Sequence, residues 1–238
     1  SVTATAFIGD GSQLTGLPSG EGSPFSLNDT SNGIQSNNNT ASRNYSTAMG
    51  YKTQASGYYG STAMGNSTTA SGNISTAMGT ETTASGNAST AMGDSTTASG
   101  NVSIAMGVST TASAYASTAM GKNTTASGTS STAMGWFTKA SRDYSTAMGY
   151  ETQASGNAST AMGESTTASG DVSIAIGVST TASAYASTAM GKNTTASGNI
   201  STAMGTETTA SGNASTAMGE STTASDFASL VIGQFNSS

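Results

Sequence analysis

The chain has no cysteine and no histidine, only two prolines, and few charges: six Lys and Arg against twelve Asp and Glu in 238 residues. The missing Cys excludes a disulfide framework. Together with the missing His, it also excludes thiolate or imidazole metal sites and any Cys-His or Ser-His catalytic pair. The net charge of −6 is scattered, so the basic footprint that nucleic acid requires is lacking. No apolar run approaches the roughly 18 residues of a membrane span, and no signal-peptide pattern opens the chain. Beginning at Ser1 rather than Met, it reads as a processed or excised piece. Large apolar residues are also scarce. Leu, Ile, Val and Phe number 23, about a tenth of the chain, where less than about a fifth normally points to disorder. A conventional core for this length needs more, so the composition argues against an ordinary globular enzyme, and no catalytic, cofactor-binding or metal-binding residue is expected.

What is present is a strict period. All twelve methionines fall in one motif: Met49, Met64, Met78, Met92, Met106, Met120, Met134, Met148, Met162, Met190, Met204 and Met218. Ile176 and Ile232 fill the same slot in two further copies, which makes 14. Every step is 14 residues except the 15 between Met49 and Met64, where Ser56–Gly60 reads as a loop insertion. Register held this strictly is the signature of a solenoid. Residues 101–128 recur at 171–198 with only Asn101 exchanged for Asp171 and Met106 for Ile176, an offset of five units. The array therefore grew by copying whole blocks, which preserves the register that stacking demands.

A typical unit runs from Asn73 to Gly86 and holds two stretches ending in Gly, Ser-Thr-Ala-Met-Gly and Thr-Thr-Ala-Ser-Gly. Gly about every seven residues opposes helix, at roughly 1 kcal/mol for each interior Gly. The spacing predicts strands of four to five residues, with Gly and Asn at the corners. Alternation sets Ser75, Ala77 and Gly79 on one face of the first strand and Thr76 and Met78 on the other. In the second strand Thr82, Ala84 and Gly86 oppose Thr83 and Ser85. Two strands per 14-residue coil enclose a lumen that admits only small residues, so the Ala columns are assigned to it. The Met column then faces outward; the competing assignment puts Met inside and Ala in solvent. Coils about 4.8 Å apart make a stripe roughly 67 Å long, with about 500–700 Å² of apolar surface, enough to imply burial against other copies. The adjoining Thr becomes Ile104, Ile174 or Leu230 in three units, which suits a column out of water.

The units Ser103-Ile104-Ala105-Met106-Gly107 and Ser173-Ile174-Ala175-Ile176-Gly177 resemble the head repeats of trimeric autotransporter adhesins over residues 41–233. The resemblance implies an all-β, YadA-like left-handed parallel β-roll of 14-residue coils. Three chains would pack side by side as a homotrimer, with the column from Met49 to Ile232 at the interface. The number three comes from the family; the stripe alone argues for self-association. Two departures stand out. Thr-x-Met replaces Val-x-Ile in most units, giving a softer, more polarizable column, and neither heptads nor barrel strands follow Gly233. The domain reading is an N-terminal attachment or capping segment (1–40), the β-roll (41–233) and a C-terminal tail (234–238). Within the first segment, Val2–Ile8 alternates as a strand before a turn at Gly9–Ser12. Its continuation to Pro18 resembles segments that precede repeats in fibre-like viral and microbial surface proteins. Ile34 and Ala41 suggest a degenerate first coil, and Asp226, Phe227 and Phe235 suggest a cap at the other end.

Two clusters of aromatic and basic residues are candidate ligand-binding surface. One comprises Arg43, Tyr45, Tyr51, Lys52, Tyr58 and Tyr59; the other comprises Trp136, Phe137, Lys139, Arg142, Tyr144 and Tyr150. Exposed rings and Arg are recognition anchors that suit sugars or protein surfaces, although such residues at corners also cover gaps between chains. The carboxylates Glu81, Asp94, Glu151, Glu164, Glu207 and Glu220 sit one per coil, without the paired geometry that acid–base catalysis needs. Thirteen Asn-x-Ser/Thr triplets would be glycan acceptors in a secreted eukaryotic chain, but Asn also suits turns and Ser or Thr fills this repeat. The leading reading is an extracellular, cell-surface adhesive rod. Its expected partners are itself and a surface, glycan or matrix-protein ligand, with no nucleic acid and no direct membrane insertion. A viral or phage fibre, or a filament subunit on a virion or outside the cell, is the alternative; a third is an ice-binding solenoid displaying the Thr column from Thr69 to Thr125.

Overall fold

The computed structural model describes residues 25–27 by their backbone, and residues 34–36 and 38–238 in full. In it the period becomes a stack of coils, each giving a five-residue strand such as Thr76–Thr80 and a two-residue strand such as Thr83–Ala84. The long strands form a 16-stranded sheet and the short ones a 14-stranded sheet, with no helix among the described residues. The long-strand sheet opens with an antiparallel pair, Phe25–Leu27 against Ile34–Ser36, and is parallel thereafter. Register is set by identity: Ala77 lies beside Ala91 and Ala105, and Met78 beside Met92 and Met106. Between the coils run backbone bonds such as Thr76 N–H to Ser89 O (2.9 Å) and Thr83 N–H to Thr96 O (2.8 Å).

Alternation sorts the side chains as expected. Ala77 and Ala84, with the equivalent alanines from Ala41 to Ala224, are fully buried, so the Ala columns line the lumen and the reverse assignment fails. The Ser75 and Thr82 columns are buried with them, which makes the lumen half hydroxyl rather than all methyl. Some serines close their own turn, as when Ser75 Oγ donates to Gly72 O at 2.6 Å. The threonines from Thr68 to Thr222, twelve in succession, find no hydrogen-bond partner for Oγ1. Thr53 differs: its hydroxyl and its N–H both donate to Asn39 Oδ1 at 2.7 Å, and Asn39 Nδ2 donates to Gly50 O. Asn39 thus closes the first coil with polar groups.

Two local expectations are corrected. The second strand has two residues instead of four or five, because little chain lies between its flanking corners. Glu81, with φ 53°, bends the chain before it, and the turn closed by Ser89 N–H to Gly86 O (3.2 Å) follows it. Gly and Asn do occupy the turn, as Gly86 and Asn87, but the left-handed position at each corner is mostly neither. Ile74 (φ 56°), Glu81 and Val102 (φ 59°) hold the left-handed conformation, which costs an L residue roughly 1–3 kcal/mol and is worst for β-branched side chains. Stacking compensates, since each such corner N–H donates to the preceding coil: Ala88 to Asn73 O at 2.7 Å, Glu81 to Asn66 O at 2.9 Å. Glycine is required inside the long strand as well as in the turn. Gly107 has φ 129°, and a Cβ there would collide with the carbonyl oxygen of Gly121 in the next coil. The 15-residue step is absorbed at Gly60 (φ 90°), where the neighbouring coil leaves room for a side chain.

The last coil carries larger residues. Val231 takes the lumen slot of Ala and is 7% exposed, and beyond it Ser237 pairs with Thr223 to begin a further turn. Phe227 and Phe235 remain mostly exposed and do not cover the end of the stack. The strand expected over Val2–Ile8 and the turn at Gly9–Ser12 lie outside the described residues.

Two substitutions separate the constraints. Thr110→Val removes a buried hydroxyl without a partner at nearly constant volume, and is expected to raise stability by about 1 kcal/mol in thermal or denaturant unfolding. Gly107→Ala should cost roughly 3 kcal/mol or more and open the stack locally. A destabilised Thr110→Val would show that the hydroxyl is bonded after all.

Candidate functional site

With the lumen closed by small residues, the outer surface is what remains for recognition. On the long-strand sheet it consists of three columns: Thr76, Met78 and Thr80 in one coil and their equivalents in the rest. The methionines from Met49 to Met218 and Ile176 are half-buried, each covered in part by its neighbour in the stack, and Ile232 in the unstacked last coil is 58% exposed. Ile104 and Ile174 flank the column at 38% and 37% exposure. A continuous apolar ladder therefore runs the length of one face.

The two aromatic clusters are each divided by the fold. Residues just before a long strand lie at its entry edge, and those at its end lie at its exit edge. Arg43, Tyr45, Tyr58 and Tyr59 collect on the entry edge, where the Arg43 guanidinium sits 4.3 Å above the Tyr58 ring; Tyr51 and Lys52 are on the exit edge. In the second cluster Arg142 and Tyr144 belong to the entry edge, Lys139 to the short-strand face, and Trp136, Phe137 and Tyr150 to the exit edge. Neighbours in sequence thus end up at opposite ends of the long strand.

On the exit edge the rings meet. Trp136 stacks on Phe137 with centroids 5.6 Å apart and meets Tyr150 edge-on at 5.2 Å. Lys122 Nζ, one coil earlier, lies 5.5 Å from the Trp136 ring. The neighbouring Glu151, through its acceptor oxygen and its charge, holds the Tyr150 phenol pKa above its ordinary value, with further contributions from desolvation and from Glu164. Lys122 and Glu164 were not among the sequence candidates. Reading at 14-residue offsets would have found them, because Lys122, Trp136, Tyr150 and Glu164 occupy one column. All six carboxylates from Glu81 to Glu220 named above also lie on this edge, in three pairs of neighbouring coils.

The entry edge is apolar and strained. Ile74, Val102, Val172 and Ile200 are half or more exposed at positive φ. Beside them Asn side chains form a ladder: Asn87 Oδ1 accepts Asn73 N–H at 3.2 Å and Asn101 Oδ1 accepts Asn87 N–H at 2.9 Å. This gives Asn a turn-forming reason to recur in the Asn-x-Ser/Thr triplets. On the short-strand face the Thr column is half-buried and interrupted by the exposed Lys139 and Gln153, so it offers no unbroken flat array for ice.

The family model described as YadA head domain repeat (2 copies) matches the chain in overlapping stretches from residue 37 to residue 235. A comparison with curated proteins gives no match.

The strained corners yield a direct test. Ile200→Asn places a residue that tolerates positive φ at an exposed site, and should stabilise the isolated chain by about 1 kcal/mol in unfolding measurements. A loss of stability would mean that the Ile200 side chain makes contacts worth more than its strain.

Proposed function

The chain belongs to the YadA head domain repeat family, a structural adhesin family whose members are typically exposed at the cell surface; on that premise we propose that it is the adhesive rod of a side-by-side homotrimer. In this reading the coils wind left-handed, the Met column faces the three-fold axis, and the outer edges meet a surface, a glycan or a matrix protein outside the cell. The Met ladder carries the proposal. It is the longest apolar feature on the outer face, and its Thr neighbours become Ile104, Ile174 and Leu230 without any need from the lumen. Burying one Met side chain contributes roughly 1.5–3 kcal/mol at most, so a dozen stacked positions suffice to hold chains together against the cost of association.

Charge at the seam tests the trimer. Met106→Lys would bring three like charges together around the axis with little water to screen them, and should dissociate or locally open the assembly. Thr111→Lys lies on the short-strand face, where Lys139 already occupies the equivalent slot, and should leave the oligomer intact. Sedimentation of wild type and both variants decides between them. A wild-type monomer at micromolar concentration, or identical behaviour of the two variants, overturns the seam.

A further inference from the structure

The exit edge over residues 122–164 departs from the repeat in a way the fold does not require. Its column reads Lys122, Trp136, Tyr150, Glu164, with Phe137 and Glu151 beside it. Elsewhere the same two slots hold Asn66-Ser67, Thr80-Glu81 or Asp94-Ser95, and those coils stack identically. Rings at this place therefore do nothing for the stack, and they remain open to solvent, with Trp136 44%, Phe137 48% and Tyr150 38% exposed.

We propose that this edge is a saccharide-binding platform, on which the apolar face of a neutral pyranose ring lies against Trp136 and Phe137. The proposal rests on the adhesive reading above and gives that surface a ligand class. Area favours a sugar over a protein. Three rings that bury about 150–250 Å² each when fully covered, here a little under half exposed, offer roughly 200–300 Å². A stable protein interface needs about 800 Å² from each partner, whereas the patch matches one or two sugar rings. Its chemistry agrees. A pyranose presents C–H groups on one face and hydroxyls around its rim, so it needs a flat apolar floor with donors and acceptors at the margin. The Trp136–Phe137 stack is such a floor, held upright by the Tyr150 edge contact. Glu151 and Glu164 on one side accept from hydroxyls, and Lys122 on the other donates to them. The same charges select against other ligands. A cation drawn to the rings meets Lys122, already 5.5 Å from the indole, and an anionic sugar meets the two carboxylates.

Trp136 is the only tryptophan in the chain, so its fluorescence reports this site alone. The experiment uses the full chain on a printed panel of neutral and sialylated oligosaccharides, followed by titration of the strongest binders with Trp136 emission and acrylamide quenching as readouts. Neutral sugars are expected to bind, shift the emission to the blue and protect the indole from quenching. Trp136→Thr and Tyr150→Thr should each weaken panel binding at least tenfold. Both place a residue already found in that slot at Thr80 and Thr206, so the fold is kept, and sedimentation checks that it is. Thr97→Ala and Thr111→Ala on the short-strand face should stay within twofold of wild type. Binding of sialylated sugars alone, neutral binding that Trp136→Thr leaves unchanged, or no sugar binding at all overturns the proposal. Adhesion to matrix-coated surfaces, measured in parallel, separates the two readings: equal adhesion by wild type and Trp136→Thr would sink the saccharide site and leave the adhesive rod standing, while no adhesion of either kind would sink both.

Discussion

Everything in this molecule depends on the backbone of one coil hydrogen-bonding to the next in exact superposition. Fourteen residues per turn leave room inside for only four short side chains, and only Ala, Ser and Thr fill those slots along nearly the whole stack. Stability then comes from ladder bonds and from many small, repeated methyl contacts instead of from a few large residues. The lack of Leu, Val and Phe, which by composition alone suggests disorder, is a direct result of that narrow lumen. The same superposition sets the outer face. Any outer position is stacked on its equivalent in the next coil, so one Met per unit becomes a ladder and carboxylates in neighbouring coils become charged pairs along the edge.

The superposition also explains why unfavourable local conformations persist. Two corners per coil sit at positive φ, and the chain fills many of them with Ile, Val, Ala or Tyr where Asn or Gly would cost less. The corner N–H is tied to the coil before it, so the conformation is imposed by the stack and the residue is left to serve another purpose. On the entry edge that purpose is an exposed apolar stripe; on the exit edge it is a mixture of charge and aromatic rings. Fold and surface are thereby decoupled. The lumen and the glycines set the geometry, and the corners vary with little effect on it.

Much of this was legible in the residues. The 14-residue period, the two strands per coil, the inward Ala and the outward Met all follow from spacing and alternation, since both are short-range rules that the fold obeys. What was not legible arises where the stack overrides local preference. Ile74 and Val102 carry no sign of a left-handed corner, because nothing in a β-branched residue favours one, and the glycines either open the turn ahead of that position, as Gly86 does, or lie inside the strand. The second strand looked longer because Thr82 to Gly86 alternates properly, yet the corners on either side leave pairing to Thr83 and Ala84. The aromatic clusters misled for a related reason. Trp136 and Tyr144 are eight residues apart but on opposite edges, whereas Trp136 and Tyr150, fourteen apart, are in contact.

The near-identity of residues 101–128 and 171–198 has a consequence for how such a rod changes over time. Because each coil is a complete stacking unit, misaligned recombination between the duplicated blocks would add or delete five whole coils without disturbing any bond elsewhere. Each event would lengthen or shorten the rod by about 24 Å at the strand spacing of a β-sheet. The diameter, the lumen and the edges would be unaltered. Reach is thus a quantity that this architecture adjusts in discrete steps at the level of the gene, independently of what its surface recognises.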